Sequence, residues 1–146
     1  MTLSLSGPDI AGKIQESIPD AVTETGDHHV VVRAESLFRV AEYLKSSPEL
    51  DFDYLNYISA VDYFDYFELV YQLTSLQYNH EIVIKTRCFE RSNPSVPSVV
   101  SLWLGADYQE REIYDLMGIA FKGRPNLKRL FLWEGFQGHP LRKDYL

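Results

Sequence analysis

The sequence contains one cysteine, Cys88, among its 146 residues. A single thiol excludes an internal disulfide. It also excludes an iron–sulfur cluster held by this chain alone, because such a cluster needs about four thiolates. No apolar run approaches the roughly 20 residues that cross a bilayer, and residues 1–9 lack the basic start and apolar stretch of a secretory signal. We therefore expect an intracellular protein that is soluble or reaches a membrane only through partners.

Two further kinds of site have little support in the sequence. Residues 135–138 (Gly-Phe-Gln-Gly) lack the dinucleotide fingerprint and the P-loop lysine, so nucleotide binding is not expected. His28 and His29 are adjacent, and neighbouring residues of a strand point to opposite faces of the sheet. His80 is expected in a turn. The sequence therefore predicts surface histidines, with no metal ligands and no cofactor bound by this chain.

The charge is unevenly distributed along the chain. The net charge is −7, but residues 1–60 carry 10 acidic and 4 basic residues, whereas residues 116–146 carry 2 acidic and 6 basic residues. This asymmetry indicates an acidic body with a basic tail. Nucleic acid is a poor partner for an acidic chain whose bases lie in one short segment, so an acidic protein surface is the better expectation.

The hydrophobic content of 45% and aromatic content of 14% are typical of one packed domain. We predict an α+β domain over residues 1–120, with helices on one face of a mostly antiparallel or mixed sheet, and an extended C-terminal arm over residues 121–146. Short connections between successive strands favour hairpins, since a parallel return needs a dozen residues or more. The predicted helices are 10–17, 35–45, one beginning near Pro97, and 107–117; the predicted strands are 21–25, 29–33, 52–63, 67–76 and 81–89.

The predicted helix 107–117 carries a dense set of charges. Ile113, Leu116 and Met117 form its apolar stripe, so the charged side is expected to face outward, with Arg111 and Asp115 at a spacing that lets them pair. The same spacing also fits a plain solvated helix face. The candidate partner-binding residues on this helix are Glu110, Arg111, Glu112, Tyr114 and Asp115.

The last residues of the chain supply a second set of candidates. They fit either a disordered basic tail or an arm that becomes ordered on a partner, with Pro140 limiting the entropy cost of ordering. Aromatic residues just upstream, Phe131, Trp133 and Phe136, favour the docked arm, because aromatic side chains are enriched in interface cores. The candidates here are Arg129, His139, Pro140, Leu141, Arg142, Lys143, Asp144 and Tyr145.

Residues 103–145 resemble the family of the C subunit of proton-pumping NADH:quinone oxidoreductase, a small peripheral-arm component of respiratory complex I. Glu110-Arg111-Glu112, followed by Tyr114-Asp115 and Gly118-Ile119, looks like the signature helix of that family. Leu127-Lys128-Arg129-Leu130 resembles its basic stretch, and residues 138–145 resemble its C-terminal arm. Two positions depart from the family pattern. Arg124 stands where histidine or lysine is usual, which would lose any hydrogen bond specific to a histidine ring, and Tyr108 stands where tryptophan is common.

The resemblance implies a structural subunit with no catalytic residue and no cofactor of its own. NADH, FMN, iron–sulfur clusters and quinone would be bound by other subunits, and electron transfer to quinone would be coupled to proton translocation. The implied partners are the quinone-site D subunit and the iron–sulfur subunits, on the cytoplasmic face of the cell membrane. The chain would be a peripheral protein that reaches the membrane only through the complex.

Two alternatives stay open at this point. Related subunits occur in membrane-bound hydrogenases and in dehydrogenases fed by ferredoxin or a deazaflavin. A free-standing hydrolase or isomerase would instead use Glu110, Glu112 and His139, with a glutamate as general base, which requires a cleft and a perturbed pKa.

Overall fold

A computed structural model describes residues 2–124, 139 and 141–142 of the chain. In that part the architecture is α+β, as predicted. The elements in chain order are β1 (Leu3–Ser4), α1 (Gly7–Ser17), β2 (Val22–Thr25), β3 (His29–Val32), a 3₁₀ turn (Ala34–Ser36), α2 (Leu37–Ser46), β4 (Tyr54–Asp62), β5 (Phe67–Ser75), β6 (His80–Cys88), β7 (Ser95–Pro97), α3 (Ala106–Met117) and β8 (Ala120–Lys122).

The main sheet is mixed and has six strands. Five of them follow the order β2-β3-β6-β5-β4, and β1 pairs with β6. The hairpins β4–β5 and β5–β6 are antiparallel, whereas β3 pairs with β6 in parallel, with Val30 opposite Ile84. The parallel pair is possible because α2 and two further strands lie between its members, which supplies the long return that a parallel connection needs.

One face of this sheet holds the core. Alternate residues of β5 point into it, and Phe67, Leu69, Tyr71 and Leu73 are each 2% exposed or less. Side chains from all three helices join the same hydrophobic cluster, so the helices cover one face, as predicted. The alternation follows from the strand's period of two, which places every second side chain on the same side.

The helix expected near Pro97 is wrong, because residues 95–97 form β7, which pairs in parallel with β8. Its backbone groups find partners 25 residues downstream, in a strand that follows α3. Local proline signals carry no information about such a distant pairing.

The expectation of His80 in a turn is also wrong. His80 is the first residue of β6 and is 8% exposed, with a ring nitrogen 2.9 Å from the carbonyl oxygen of Leu50. Its ring packs 5.0 Å from that of Phe52, between ring centres. His80 therefore belongs to the core, where the loop before β4 supplies its hydrogen-bond partner.

Candidate functional site: helix α3 and the C-terminal segment

Helix α3 begins at Ala106 and ends at Met117, close to the predicted bounds. It stops because Gly118 adopts a left-handed conformation with φ of 76°, which costs a glycine little. Its core-facing stripe consists of Ala106, Glu110, Ile113 and Met117, with exposures of 0%, 0%, 5% and 4%. A glutamate therefore lies in the middle of the buried side of this helix.

The Glu110 carboxylate is held by three donors from its own chain. One oxygen accepts hydrogen bonds from the Ser98 hydroxyl at 2.6 Å and from the Arg124 guanidinium at 3.1 Å. The other oxygen accepts the Val99 backbone N–H at 2.9 Å. Arg124, whose side chain is 5% exposed, also pairs with the Asp107 carboxylate. This network joins α3 to the segments before and after it.

Burial dominates the electrostatics of this network. Loss of water around the carboxylate raises the pKa of Glu110, while the hydrogen bonds from Ser98, Val99 and Arg124 oppose that rise. Burial also holds the pKa of Tyr71 well above its ordinary value, and the Glu110 charge adds to that shift. The Tyr71 hydroxyl has no hydrogen-bond partner among the described residues. A buried carboxylate thus acts on an unsatisfied hydroxyl within the core.

The expectation that the whole charged side of α3 faces outward is wrong for two residues. Glu110 and Asp115 are each 0% exposed. Arg111, Glu112 and Tyr114 are partly exposed, as expected. Arg111 pairs with Asp107, one turn earlier, at 3.8 Å. The residues of α3 that remain accessible therefore lie beside the buried network rather than in it.

The described residues of the C-terminal segment contact the end of α3. They supply donors to three successive backbone carbonyls, which a helix end leaves without partners inside the helix. These contacts are His139 Nδ1 to the Asp115 oxygen at 3.1 Å, the Leu141 backbone N–H to the Leu116 oxygen at 2.9 Å, and Arg142 Nε to the Met117 oxygen at 2.6 Å. We call His139, Leu141 and Arg142 the C-terminal clip.

Glycine at position 118 is what allows the C-terminal clip to approach so closely. A Cβ added there would lie 2.6 Å from His139 Cδ2 and 2.8 Å from an Arg142 guanidinium nitrogen. The Arg142 guanidinium also lies 5.1 Å from the centre of the Phe67 ring, within cation–π range. A cation at the C-terminal end of a helix is favourable because of the helix dipole. These three residues thus contact their own chain, and among them the Leu141 side chain, 60% exposed, is the most accessible.

Several predicted interface residues lie outside the described part of the chain. They are Arg129, Pro140, Lys143, Asp144 and Tyr145. The upstream aromatic residues Phe131, Trp133 and Phe136 and the basic stretch 127–130 also lie outside it. Their assignment to a partner interface stays a prediction.

Three participants in the Glu110 network were not singled out by the sequence reasoning for this role. Ser98, Asp107 and the cationic Arg124 come together only in three dimensions, and Arg124 was noted solely as a departure from the family pattern. One signal was available for Glu110 itself. It stands four residues after Ala106 and three before Ile113, which is the spacing of the core-facing stripe.

The arrangement offers little to a catalytic reading of this region. Ser98, Val99 and Arg124 occupy the Glu110 carboxylate, which no solvent reaches, so a substrate has no access to it. Within residues 2–124, 139 and 141–142, no group of three His, Cys, Asp or Glu side chains is placed to hold a metal ion. In the same residues, no helix has the length and hydropathy to cross a membrane.

Comparison with known proteins gives consistent results. The sequence model of the family described as "Respiratory-chain NADH dehydrogenase, 30 Kd subunit" matches residues 30–146. An NADH-quinone oxidoreductase C subunit from Roseiflexus castenholzii is 42% identical over 149 residues, covering 97% of this chain and 85% of that protein. The second of the numbered NADH-quinone oxidoreductase C subunits from Rhizobium meliloti is 37% identical over 139 residues, covering 93% of this chain and 75% of that protein.

A solved structure is similar in fold. It is a chain of the membrane-bound sulfane sulfur reductase, an archaeal respiratory membrane complex, and it superposes with a TM-score of 0.70. The sequence identity is 24%, and the match covers 95% of this chain and 85% of that chain. At this identity the similarity concerns the fold alone.

Proposed function

The chain belongs to the family of the 30 Kd subunit of the respiratory-chain NADH dehydrogenase, and from this premise we propose that it is a structural subunit that supports electron transfer in an NADH-quinone oxidoreductase. Electrons pass from NADH through iron–sulfur clusters to quinone on other subunits, coupled to proton translocation. This chain binds no cofactor and contributes no catalytic residue. The match to the Roseiflexus castenholzii protein, at 42% identity across 97% of the chain, carries the proposal.

The proposed partners are the quinone-site D subunit and the iron–sulfur subunits. The chain is placed on the cytoplasmic face of the cell membrane and reaches the membrane through these partners. The side chains proposed to meet them are those of α3 and the C-terminal clip that are accessible. Tyr108 is 52% exposed and Leu141 is 60% exposed, and Arg111 and Glu112 are partly exposed. Tyrosine and arginine are typical of interface cores.

The proposed division of labour follows from burial. Glu110 and Asp115 stabilise the position of α3 from within, since both are fully buried. Glu112 and Leu141 then serve recognition. A rigid helix that presents exposed side chains loses less conformational entropy on binding than a loop does, and this favours affinity.

Paired substitutions test the proposal in the intact assembly. The variant Glu112→Arg/Leu141→Asp changes two accessible side chains and leaves the buried network unchanged. In membranes of cells that carry this variant as their only copy, we expect loss of the assembled complex on a native gel and a matching loss of NADH-dependent quinone reduction. The purified variant should keep the thermal midpoint of the parent chain.

The matched control is Glu16→Arg, which makes the same charge change on the exposed side of α1. It should leave both assembly and quinone reduction at the parent level. Normal assembly of Glu112→Arg/Leu141→Asp would remove these side chains from the proposed interface. Absence of the parent chain from any NADH-oxidising assembly would reject the proposed function itself.

A second candidate function keeps the structural role but changes the assembly. The fold similarity to a chain of a sulfane sulfur reductase complex is the observation that favours it, alongside hydrogenases and ferredoxin- or deazaflavin-fed dehydrogenases. The electron donor that the purified assembly oxidises separates the two. Oxidation of NADH supports the first, whereas oxidation of reduced ferredoxin or of hydrogen supports the second.

A further inference from the structure

Four aromatic residues gather where the β4–β5 hairpin turns. They are Tyr63, Phe64, Tyr66 and Phe89, and we call them the aromatic tip. Ring centres of Tyr63 and Tyr66 are 5.3 Å apart, and those of Tyr66 and Phe89 are 5.2 Å apart. Nevertheless Tyr63 is 47% exposed, Phe64 58% and Phe89 68%. Large aromatic side chains clustered in solvent mark an interaction site more often than single exposed ones do.

Phe64 is held in an unfavourable backbone conformation. Its φ is 70°, in the left-handed region that side chains with a Cβ avoid. The Asp62 carboxylate accepts the Phe64 backbone N–H at 2.8 Å, which fixes the turn. Glycine or asparagine would fit this backbone better. Since most of the Phe64 side chain contributes nothing to the core, the strain is unexplained by folding, and strain of this kind gathers at binding sites.

The charges around the aromatic tip are arranged with cations inside and acids outside. Arg91 forms two hydrogen bonds to the buried Asp62 carboxylate, at 2.8 and 3.0 Å. Arg87 and Lys85 pair with Glu68, whose side chain is 5% exposed. The basic groups of this region are thus directed onto buried carboxylates.

The outward side of the aromatic tip is acidic. Asp65 and Glu90 are exposed, and Glu24, which pairs with Arg87, is 57% exposed at its side chain. The surrounding sequence has the same bias, because residues 46–84 contain seven acidic residues and no lysine or arginine. A surface of this kind attracts cationic groups.

The rings of the aromatic tip already accept guanidinium groups from their own chain. Arg87 lies 5.0 Å from the centre of the Tyr66 ring, and Arg91 lies 5.8 Å from that of Phe64. Both distances are within the range of cation–π attraction. The same chemistry is therefore open to a cation from outside at the exposed faces of these rings.

We propose that the aromatic tip is a second docking surface, which binds a segment of another polypeptide carrying arginine or lysine beside aliphatic side chains. The aliphatic groups cover Phe64 and Phe89, while the cations meet Asp65 and Glu90 and stack on the exposed Tyr63 ring. A second copy of this chain fits poorly, because it would bring two acidic tips together. The proposal goes beyond the structural role of α3, since it assigns recognition to the hairpin turn and to the end of β6.

The test places a photoreactive p-benzoylphenylalanine at position 64 of the full chain, in its own cells. Native membranes are illuminated and the cross-linked peptides are identified by mass spectrometry. We expect one product with another polypeptide, attached within a few residues of an arginine or lysine. The matched control carries the same group at Leu76, which is 66% exposed at the opposite end of β5, and should not give this product.

Two further variants check the chemistry. Asp65→Lys in the photoreactive chain should lower the cross-link yield at least fivefold, whereas Asp27→Lys, an exposed acid at the other end of the sheet, should leave it unchanged. Phe64→Gly should raise or preserve the thermal midpoint of the isolated chain, because it relieves the strained φ. In the same variant, less of the chain should remain on membranes washed with salt. Loss of both properties together would indicate a purely structural role.

Four outcomes overturn the inference: no product, a product within the chain, a product between two copies, or a contact segment without basic residues. A native gel run on the same membranes separates this failure from failure of the proposed function. If the chain is present in the assembled oxidoreductase and position 64 captures nothing, only the aromatic tip is refuted. If the chain is absent from that assembly, the structural-subunit proposal fails, and the cross-link result still decides whether the tip binds a partner.

Discussion

Replacing Glu110 by alanine should lower the stability of the chain by about 3 kcal/mol, the lower end of the cost of removing one partner from a buried ion pair. The lower end applies because Arg124 would keep its second carboxylate, Asp107, which is 49% exposed at its side chain. The Val99 backbone N–H has no such second partner. Val99 is 0% exposed, so its N–H would lose its acceptor in the core, at a cost of about 1–3 kcal/mol that forms part of the same loss.

Urea unfolding of the isolated chain, followed by tryptophan fluorescence, measures this loss. With a slope of about 2 kcal/mol per molar, the midpoint should fall by about 1.5 M while the slope stays constant. Glu112→Ala is the control, because Glu112 lies on the same helix but is partly exposed. Its effect should stay within about 0.5 kcal/mol.

Combining Glu110→Ala with Arg124→Met isolates the interaction between the two side chains. The double variant should be less destabilised than the sum of the single variants, since removal of both charges leaves neither one buried alone. A Glu110→Ala variant within about 1 kcal/mol of the parent, or equal to Glu112→Ala, would refute the view that this network fixes α3 in place.

Three other predictions concern the core and the end of α3. Tyr71→Phe should leave the stability unchanged or raise it by about 1 kcal/mol, because the lost hydroxyl has no partner in the described part of the chain; a urea midpoint well below the parent would reveal a missed partner. Gly118→Ala should cost about 1–2 kcal/mol or more, since φ is 76° and the new Cβ would collide with His139, whereas Gly12→Ala, with nothing within 4 Å of its Cβ, should raise the urea midpoint by about 1 kcal/mol equivalent; equal effects would contradict the geometry of the C-terminal clip. The raised pKa of Glu110 means that the folded chain keeps a proton which the unfolded chain has lost, so between the ordinary pKa of a glutamate and this raised pKa its contribution to stability falls as pH rises. Glu110→Gln should flatten that part of the dependence of thermal midpoint on pH, and an unchanged slope would argue against the raised pKa.

The elements that the sequence predicted well are those fixed by local physics. Strand β5 follows from the alternation of Phe67, Leu69, Tyr71 and Leu73, because the period of a strand is intrinsic to its backbone. The end of α3 follows from Gly118, because the preference for a left-handed residue at a helix terminus is also local. Hairpins β4–β5 and β5–β6 follow from short connections.

The errors in the predicted elements both involve partners that lie far along the chain. Residues 95–97 form a strand rather than a helix start because β8 offers them a ladder 25 residues later. His80 enters the core because Leu50 supplies an acceptor from a loop 30 residues earlier. Neither distance leaves a trace in local periodicity.

The candidate interface shows the same division. Sequence motifs alone indicated the family and drew attention to α3 and the last residues of the chain, because the order and spacing of residue types are properties of the chain itself. They could not separate Glu110 and Asp115, which are buried, from Glu112 and Leu141, which are accessible. That separation depends on desolvation.

The sequence by itself therefore determined the membership of the family, the succession of most helices and strands, and the residue types available for recognition. Only the tertiary structure decided which of those charges are used inside the chain. The physical reason is that a carboxylate is stable away from water only where donors converge on it, and the donors to Glu110 come from Ser98, Val99 and Arg124, which folding alone brings together.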